Sequence, residues 1–163
     1  MRAKDYLKQL QKLNRMIENK LMEKEQWKTI ACGISAPTAP ETGVRVQKSS
    51  SQQKMADAVA RYVDMDAEID QYIDRLVDAR AEIISVIEQL PPAQYDLLHK
   101  AYVGVVEGDS IHYMTLPEIA DLYQRSRSWA NVVHGRALAN VQKILDANMQ
   151  KILDEKTKLH KIV

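Results

Sequence analysis

The sequence predicts an all-α protein: a long, coiled-coil-like antiparallel helical hairpin at the N-terminus, then a short helix, a turn and a long C-terminal helix. Three observations predict it. First, Met55, Ala58, Tyr62, Met65, Ile69, Tyr72, Leu76, Ala79, Ile83, Val86 and Leu90 step by alternating three and four with no polar member. An unbroken 3.5-residue period of that length is the mark of a helix–helix seam. Second, Tyr6, Leu10, Leu13, Ile17 and Leu21, then Trp27 and Ala31 after a weaker turn, recur at helical spacing with lysines between them. Third, Thr115 to Val141 reads as a short capped helix, a break, and a second helix with its own cap.

The first helix is expected to end near Gly33. "GISAPTAPETGVRVQKSSSQQ" follows, rich in Gly, Pro, Ser and Thr, and predicts a long loop at about 33–52. The seam helix after it would be about 50 Å long at 1.5 Å per residue and needs cover along its length. Charge names the partner. Residues 1–54 carry 11 Lys/Arg against 5 Asp/Glu, a balance of +6, and residues 55–90 carry 3 against 9, a balance of −6. Ion pairs at the surface contribute about 0–1 kcal/mol each, so this complementarity selects the pairing more than it stabilises it. Pro91 and Pro92 stop the seam helix, "AQYDLLHKAYV" predicts a short helix with Tyr95, Leu98 and Tyr102 inward, and "GVVEGDSIHYM" reads as a connection. The expected division is a hairpin over 1–90 and a second domain over 91–163.

Thr115 and Glu118 form a capping-box pattern, with Pro117 in the first turn, where no helical N–H bond is lost. Ile119, Ala120 and Tyr123 give this helix its inner face. The pattern breaks around Gln124 and Arg125, and Ser126 caps a new helix with Ala130, Val133, Ala137, Leu138 and Val141 inward. A short helix, a tight turn and a longer helix make the helix-turn-helix plan, in which the start of the second helix enters the major groove of duplex DNA. Between Asp121 and Asp146 there is no carboxylate, yet Arg125, Arg127, Arg136 and Lys143 all fall there. Charge alone would suit a solvated basic face. At the start of a helix in this plan it also suits phosphate, because each cation near the DNA backbone releases a counterion and the helix dipole adds to the field. His134 on this helix is read as a phosphate contact or as solvent-facing.

The pieces "QLPPAQYDLLHKAYVG", "TLPEIA", "SRS" and "GRAL" resemble, in order and at nearly the same spacing, region 4 of bacterial sigma factors. The likeness covers roughly residues 88–145. The whole chain, with "GVRVQKSSSQQKMADAVARYVDMDAEID", looks like a family of uncharacterised phage and prophage proteins resembling regulators of phage late genes. The resemblance implies a sequence-specific transcription regulator that binds double-stranded DNA and touches host RNA polymerase. It places Arg127, Ser128, Trp129, Asn131 and Val132 at the DNA-facing start of the recognition helix, beside Arg125, Ser126, His134 and Arg136. Sigma factors hold Glu, Arg and Gln at several of these places, so the resemblance implies the motif and not the reading of a −35 promoter element. Gln124 also stands where the turn often has glycine. Asn131 suits adenine, Arg127 guanine or phosphate, and Val132 a thymine methyl. Trp129 either faces DNA or packs on the hairpin.

"QKILD" occurs at 142–146 and again at 150–154, in a tail beyond the resemblance. Leu138, Leu145, Ile152 and Leu159 fall seven apart, with Val141, Asn148 and Glu155 between them. This half-apolar stripe either closes back on the hairpin or joins a second copy, and a homodimer is the preferred reading. Nothing suggests an enzyme, cofactor or metal. His99, His112, His134 and His160 are scattered, Cys32 is the only cysteine, and "DMDAEIDQYID" spreads around a helix. The single cysteine and the charged start predict a cytoplasmic protein away from membranes, and the resemblance implies that the cell is a bacterial host. The competing function is a helical adaptor that binds RNA polymerase or another protein through the hairpin, with no DNA readout. A purely structural coiled coil accounts for residues 1–90 and leaves the acid-free segment unexplained.

Overall fold

Helices dominate the computed structural model, which describes residues 1–33, 49–108 and 110–160. In chain order they are α1 (Ala3–Leu7), α2 (Gln9–Gly33), α3 (Ser49–Ile87), α4 (Pro92–Leu98), α5 (Leu116–Leu122) and α6 (Arg127–His160). The all-α expectation holds at this level. Of the loop expected at 33–52, residues 34–48 lie outside the described residues, and 49–52 are already helical. Only Lys8 parts α1 from α2, and the hydrogen-bond ladder continues through it. Lys8 N–H donates to Lys4 C=O at 3.1 Å, and Lys12 N–H to Lys8 C=O at 3.0 Å.

A π-helical turn, His99–Val103, extends α4 and closes with Gly104 N–H donating to His99 C=O at 2.9 Å. The stretch read as a plain connection then forms two short strands, β1 (Val105–Glu107) and β2 (Ser110–His112). They pair antiparallel, Val105 opposite His112 and Glu107 opposite Ser110. Three residues a side are too few to show an alternating period in the sequence. Gly104 makes the junction possible: its φ is +85°, and a β-carbon there would lie 2.4 Å from Ile111 Cγ2.

Packing divides the chain into two compact units, Met1–Lys12 with Val77–Val163, and Leu13–Leu76. α2 and α3 contribute to both units. In the unit spanning 13–76, Ala58, Met65 and Ile69 of the seam are buried, and Tyr62, Tyr72 and Leu76 are half-buried. The facing positions on α2 are the half-buried Leu13, Ile17, Lys20, Lys24, Trp27 and Ala31, a strict alternation of four and three. Leu21, expected on this seam, is 50 % exposed, because Lys20 occupies its place. Lys20 reaches Glu68 at 2.8 Å, and Lys24 pairs with Asp66 with its ammonium 4.6 Å from the centre of the Tyr62 ring. The partners thus descend along α3 as they ascend along α2.

The other unit is built around α6, which packs against α4, α5 and α1. Its buried side chains include Tyr6, Leu7 and Leu10, then Ile83, Val86, Ile87 and Leu90, then Leu97, Leu98, Tyr102 and Val103. α5 packs on α6, and Ile119 and Ala120 of α5 and Ala130, Ala137 and Val141 of α6 are all buried. Two alanines on that stripe let neighbouring helices approach closely.

Candidate nucleic-acid interface

The candidate site begins at the cap of α5. Glu118 N–H donates to Thr115 Oγ1 at 3.5 Å, and Thr115 N–H donates to Glu118 Oε2 at 2.6 Å, which completes the capping box. That backbone bond, joined by the Thr115 hydroxyl, holds the Glu118 carboxyl below the usual carboxylate range. α5 ends at Leu122 with Tyr123 as its C-cap, and Gln124 turns into the left-handed region at φ +50°. Arg125 N–H then returns to Ala120 C=O at 2.8 Å, which uses one of the last free carbonyls of the helix. Ser126 Oγ accepts from Trp129 N–H at 3.1 Å and so caps α6. Residues 116–145 are therefore two helices with a break, and the break falls at Gln124.

Beyond the break, Arg125, Ser126, Arg127, Ser128, Asn131, Val132 and Arg136 are all exposed. Gly135, Ala139 and Lys143 share their side of α6. The outer face is a run of small or uncharged residues edged by cations, with no carboxylate from 127 to 143. Two of the expected site residues lie elsewhere. Trp129 is half-buried, its ring tilted against Tyr123 with centroids 6.0 Å apart, so it packs on the preceding turn. His134 is also half-buried. Its Nε2 lies 2.9 Å from the Tyr102 hydroxyl, hydrogen-bonded to it, and the two rings stack at 5.9 Å. Burial, and then the nearby Lys4 charge, push the His134 pKa below its ordinary value. This imidazole belongs to the edge of the core and does not join the exposed row.

Tyr123, expected on the inner face of its helix, is instead exposed, and it anchors a brace behind the turn with Asp96 and Lys100, two residues that no sequence motif marked. The Tyr123 hydroxyl donates to the Asp96 carboxylate, Lys100 pairs with Asp96 at 2.7 Å, and the Lys100 ammonium stands 5.3 Å from the centre of the Tyr123 ring. Tyr123 in turn supports Trp129. The four-residue spacing of Asp96 and Lys100 was visible as a helical ion pair, whereas their meeting with Tyr123 depends on how α4 lies against α5 and α6. Among the described residues there is no cluster of His, Cys, Asp and Glu able to hold a metal ion, and no helix is long and apolar enough to cross a membrane. Known protein families, curated proteins and solved structures offer no match to this chain.

Proposed function

We propose that this chain is a sequence-specific, double-stranded DNA-binding transcription regulator of phage or prophage type, acting in the cytoplasm of a bacterial host. α5, the turn at Gln124 and α6 serve as a helix-turn-helix, and α2 with α3 as an antiparallel hairpin. One observation carries this reading: the capped start of α6 presents an exposed face free of carboxylates, set off from α5 by a sharp backbone turn. Arg127, Arg136 and Lys143 are cations at its edges, and Ser128, Asn131, Val132, Gly135 and Ala139 leave it low enough to enter a groove. Arg125 and Ser126 stand at the mouth of the turn, where the helix dipole favours phosphate. Tyr123, with Asp96 and Lys100 behind it, holds Trp129 and so fixes the angle at which the helix leaves the turn.

The test is binding of labelled duplex DNA at low salt. Each well-made contact to a base or phosphate contributes about 1–3 kcal/mol, so Arg127→Ala with Arg136→Ala should weaken binding at least about tenfold. Equal affinity of the double variant and the parent would remove α6 as the reading element. In this proposal the regulator works as a homodimer, and host RNA polymerase is its protein partner.

A second reading, a helical adaptor without DNA readout, draws support from the 13–76 unit. Leu21, Met22, Val59 and Val63 are 44–62 % exposed there, whereas on the acid-free face of α6 the exposed large apolar side chain is Val132. Recovery of the same host proteins before and after nuclease treatment would favour it.

A further inference from the structure

The basic surplus of the first segment divides in two. Lys20 and Lys24 are spent on the acidic α3, against Glu68 and Asp66. Lys4, Lys8 and Lys12 are different. They follow at intervals of four, all three are exposed, and among the described residues no ion pair involves any of them. Residues four apart share one side of a helix, and the ladder through Lys8 keeps α1 and the start of α2 in phase. The opposite side of the same segment, Ala3, Tyr6, Leu7 and Leu10, is buried. Burial on one side thus holds the three ammonium groups on the other.

The packing of α1 decides what this row lies beside. Ala3 N–H donates to Gln142 Oε1 at 2.8 Å, and Gln142 Nε2 donates to Met1 C=O at 3.3 Å. Lys4 stands near enough to His134 for its charge to act on that imidazole. Arg127, Asn131, His134, Leu138 and Gln142 step by three or four and form one stripe along α6. The first two members of the stripe are exposed, and α1 lies over its continuation. The lysine row therefore starts on the flank of α6 that carries Arg127 and Asn131 nearer its N-terminus. Asp5 is the one carboxylate in α1, and it sits in the first turn, at the positive end of that short helix.

We propose that Lys4, Lys8 and Lys12 form a second row of contacts to the phosphate backbone of duplex DNA, set beside the exposed face of α6 by the docking of α1. The inference rests on the DNA-binding reading and adds a clamp from the far end of the chain. Phosphate contacts of this kind position a protein without reading sequence, so the row supplies affinity and register while α6 supplies discrimination.

The test measures duplex affinity against salt concentration for the parent, for Lys4→Gln/Lys8→Gln/Lys12→Gln, and for Lys20→Gln/Lys28→Gln. Far-UV circular dichroism and a melt confirm that each is folded. Each lost phosphate contact lowers the slope of log K against log salt by about 0.9, so the first triple variant should lose about 2 to 3 from the slope. Its affinity should fall by the same factor on every duplex sequence, and the Lys20/Lys28 variant should keep the parental slope. Two outcomes overturn the clamp alone: an unchanged slope in the triple variant while Arg127→Ala/Arg136→Ala still weakens binding, or an equal loss in the Lys20/Lys28 variant, which would reduce the effect to net charge. A parent protein that binds no duplex at any salt overturns the DNA-binding reading and the clamp with it.

Discussion

Gln124 carries the only positive φ outside glycine among the described residues, and it sits at the single place where the chain must reverse between α5 and α6. An L-residue in the left-handed region costs about 1–2 kcal/mol relative to the right-handed one, while glycine is free to enter it. Gln124→Gly should therefore raise the unfolding free energy by up to about 1 kcal/mol, after the added backbone entropy of glycine is subtracted. Gly104→Ala tests the converse: with Ile111 Cγ2 2.4 Å from the new methyl and φ at +85°, a loss of more than about 2 kcal/mol is expected. Urea melts read both. His134 gives a pH dependence whose sign follows from its burial. Its folded pKa is depressed below the unfolded value of about 6.5, so the stability it contributes is complete above that pH and is lost as the pH falls through the folded pKa. His99 shifts the same way, by burial first and then through Arg80 and Lys100. Melts at pH 7.5 and 5.5 should show a drop for the parent and a smaller one for His134→Gln, with His99 accounting for what is left.

Each helix carries its own reasons to start and stop. The capping box at Thr115, the Ser126 cap and the prolines after α3 are local patterns, and the structure contains all of them because they need only the next three or four residues. The 3.5-residue seam of α3 was legible for the same reason. Its partner stripe on α2 was read one residue off, with Leu21 for Lys20. A spacing rule favours the apolar neighbour, whereas Glu68 and Asp66 across the way draw the lysines inward. Polar residues on such a seam select a pairing at a cost in stability. Lys20→Leu with Lys24→Leu should raise the melting temperature and increase self-association, measured by thermal melts and sedimentation. A lower melting temperature would mean that the two ion pairs outweigh the apolar burial they displace. β1 and β2 were not legible, because the pairing that makes them strands is set by the turn and by Gly104, and not by any alternation in three residues.

Over the whole chain, a net charge of +1 conceals an uneven distribution. The acidic α3 takes up Lys20 and Lys24, the face of α6 is cleared of carboxylates, and Lys4, Lys8 and Lys12 are exposed with no ion pair among the described residues. A protein arranged in this way should show steep salt dependence despite its modest total charge, since counterion release follows the cations at the contact and not the sum. That expectation joins the Arg127/Arg136 affinity loss to the slope change of the lysine row, and one set of titrations measures both.

Residue order by itself determined the helical class, the caps, the seam of α3, the break at Gln124 and the acid-free stretch of α6. All of these depend on spacings within a few residues, where helix geometry converts position directly into direction. Only the folded chain decided that His134 turns to Tyr102, that Trp129 leans on Tyr123, and that Met1 and Ala3 lie against Gln142. Those meetings join residues far apart in the chain. They follow from which buried faces pack together, and no local period records that choice.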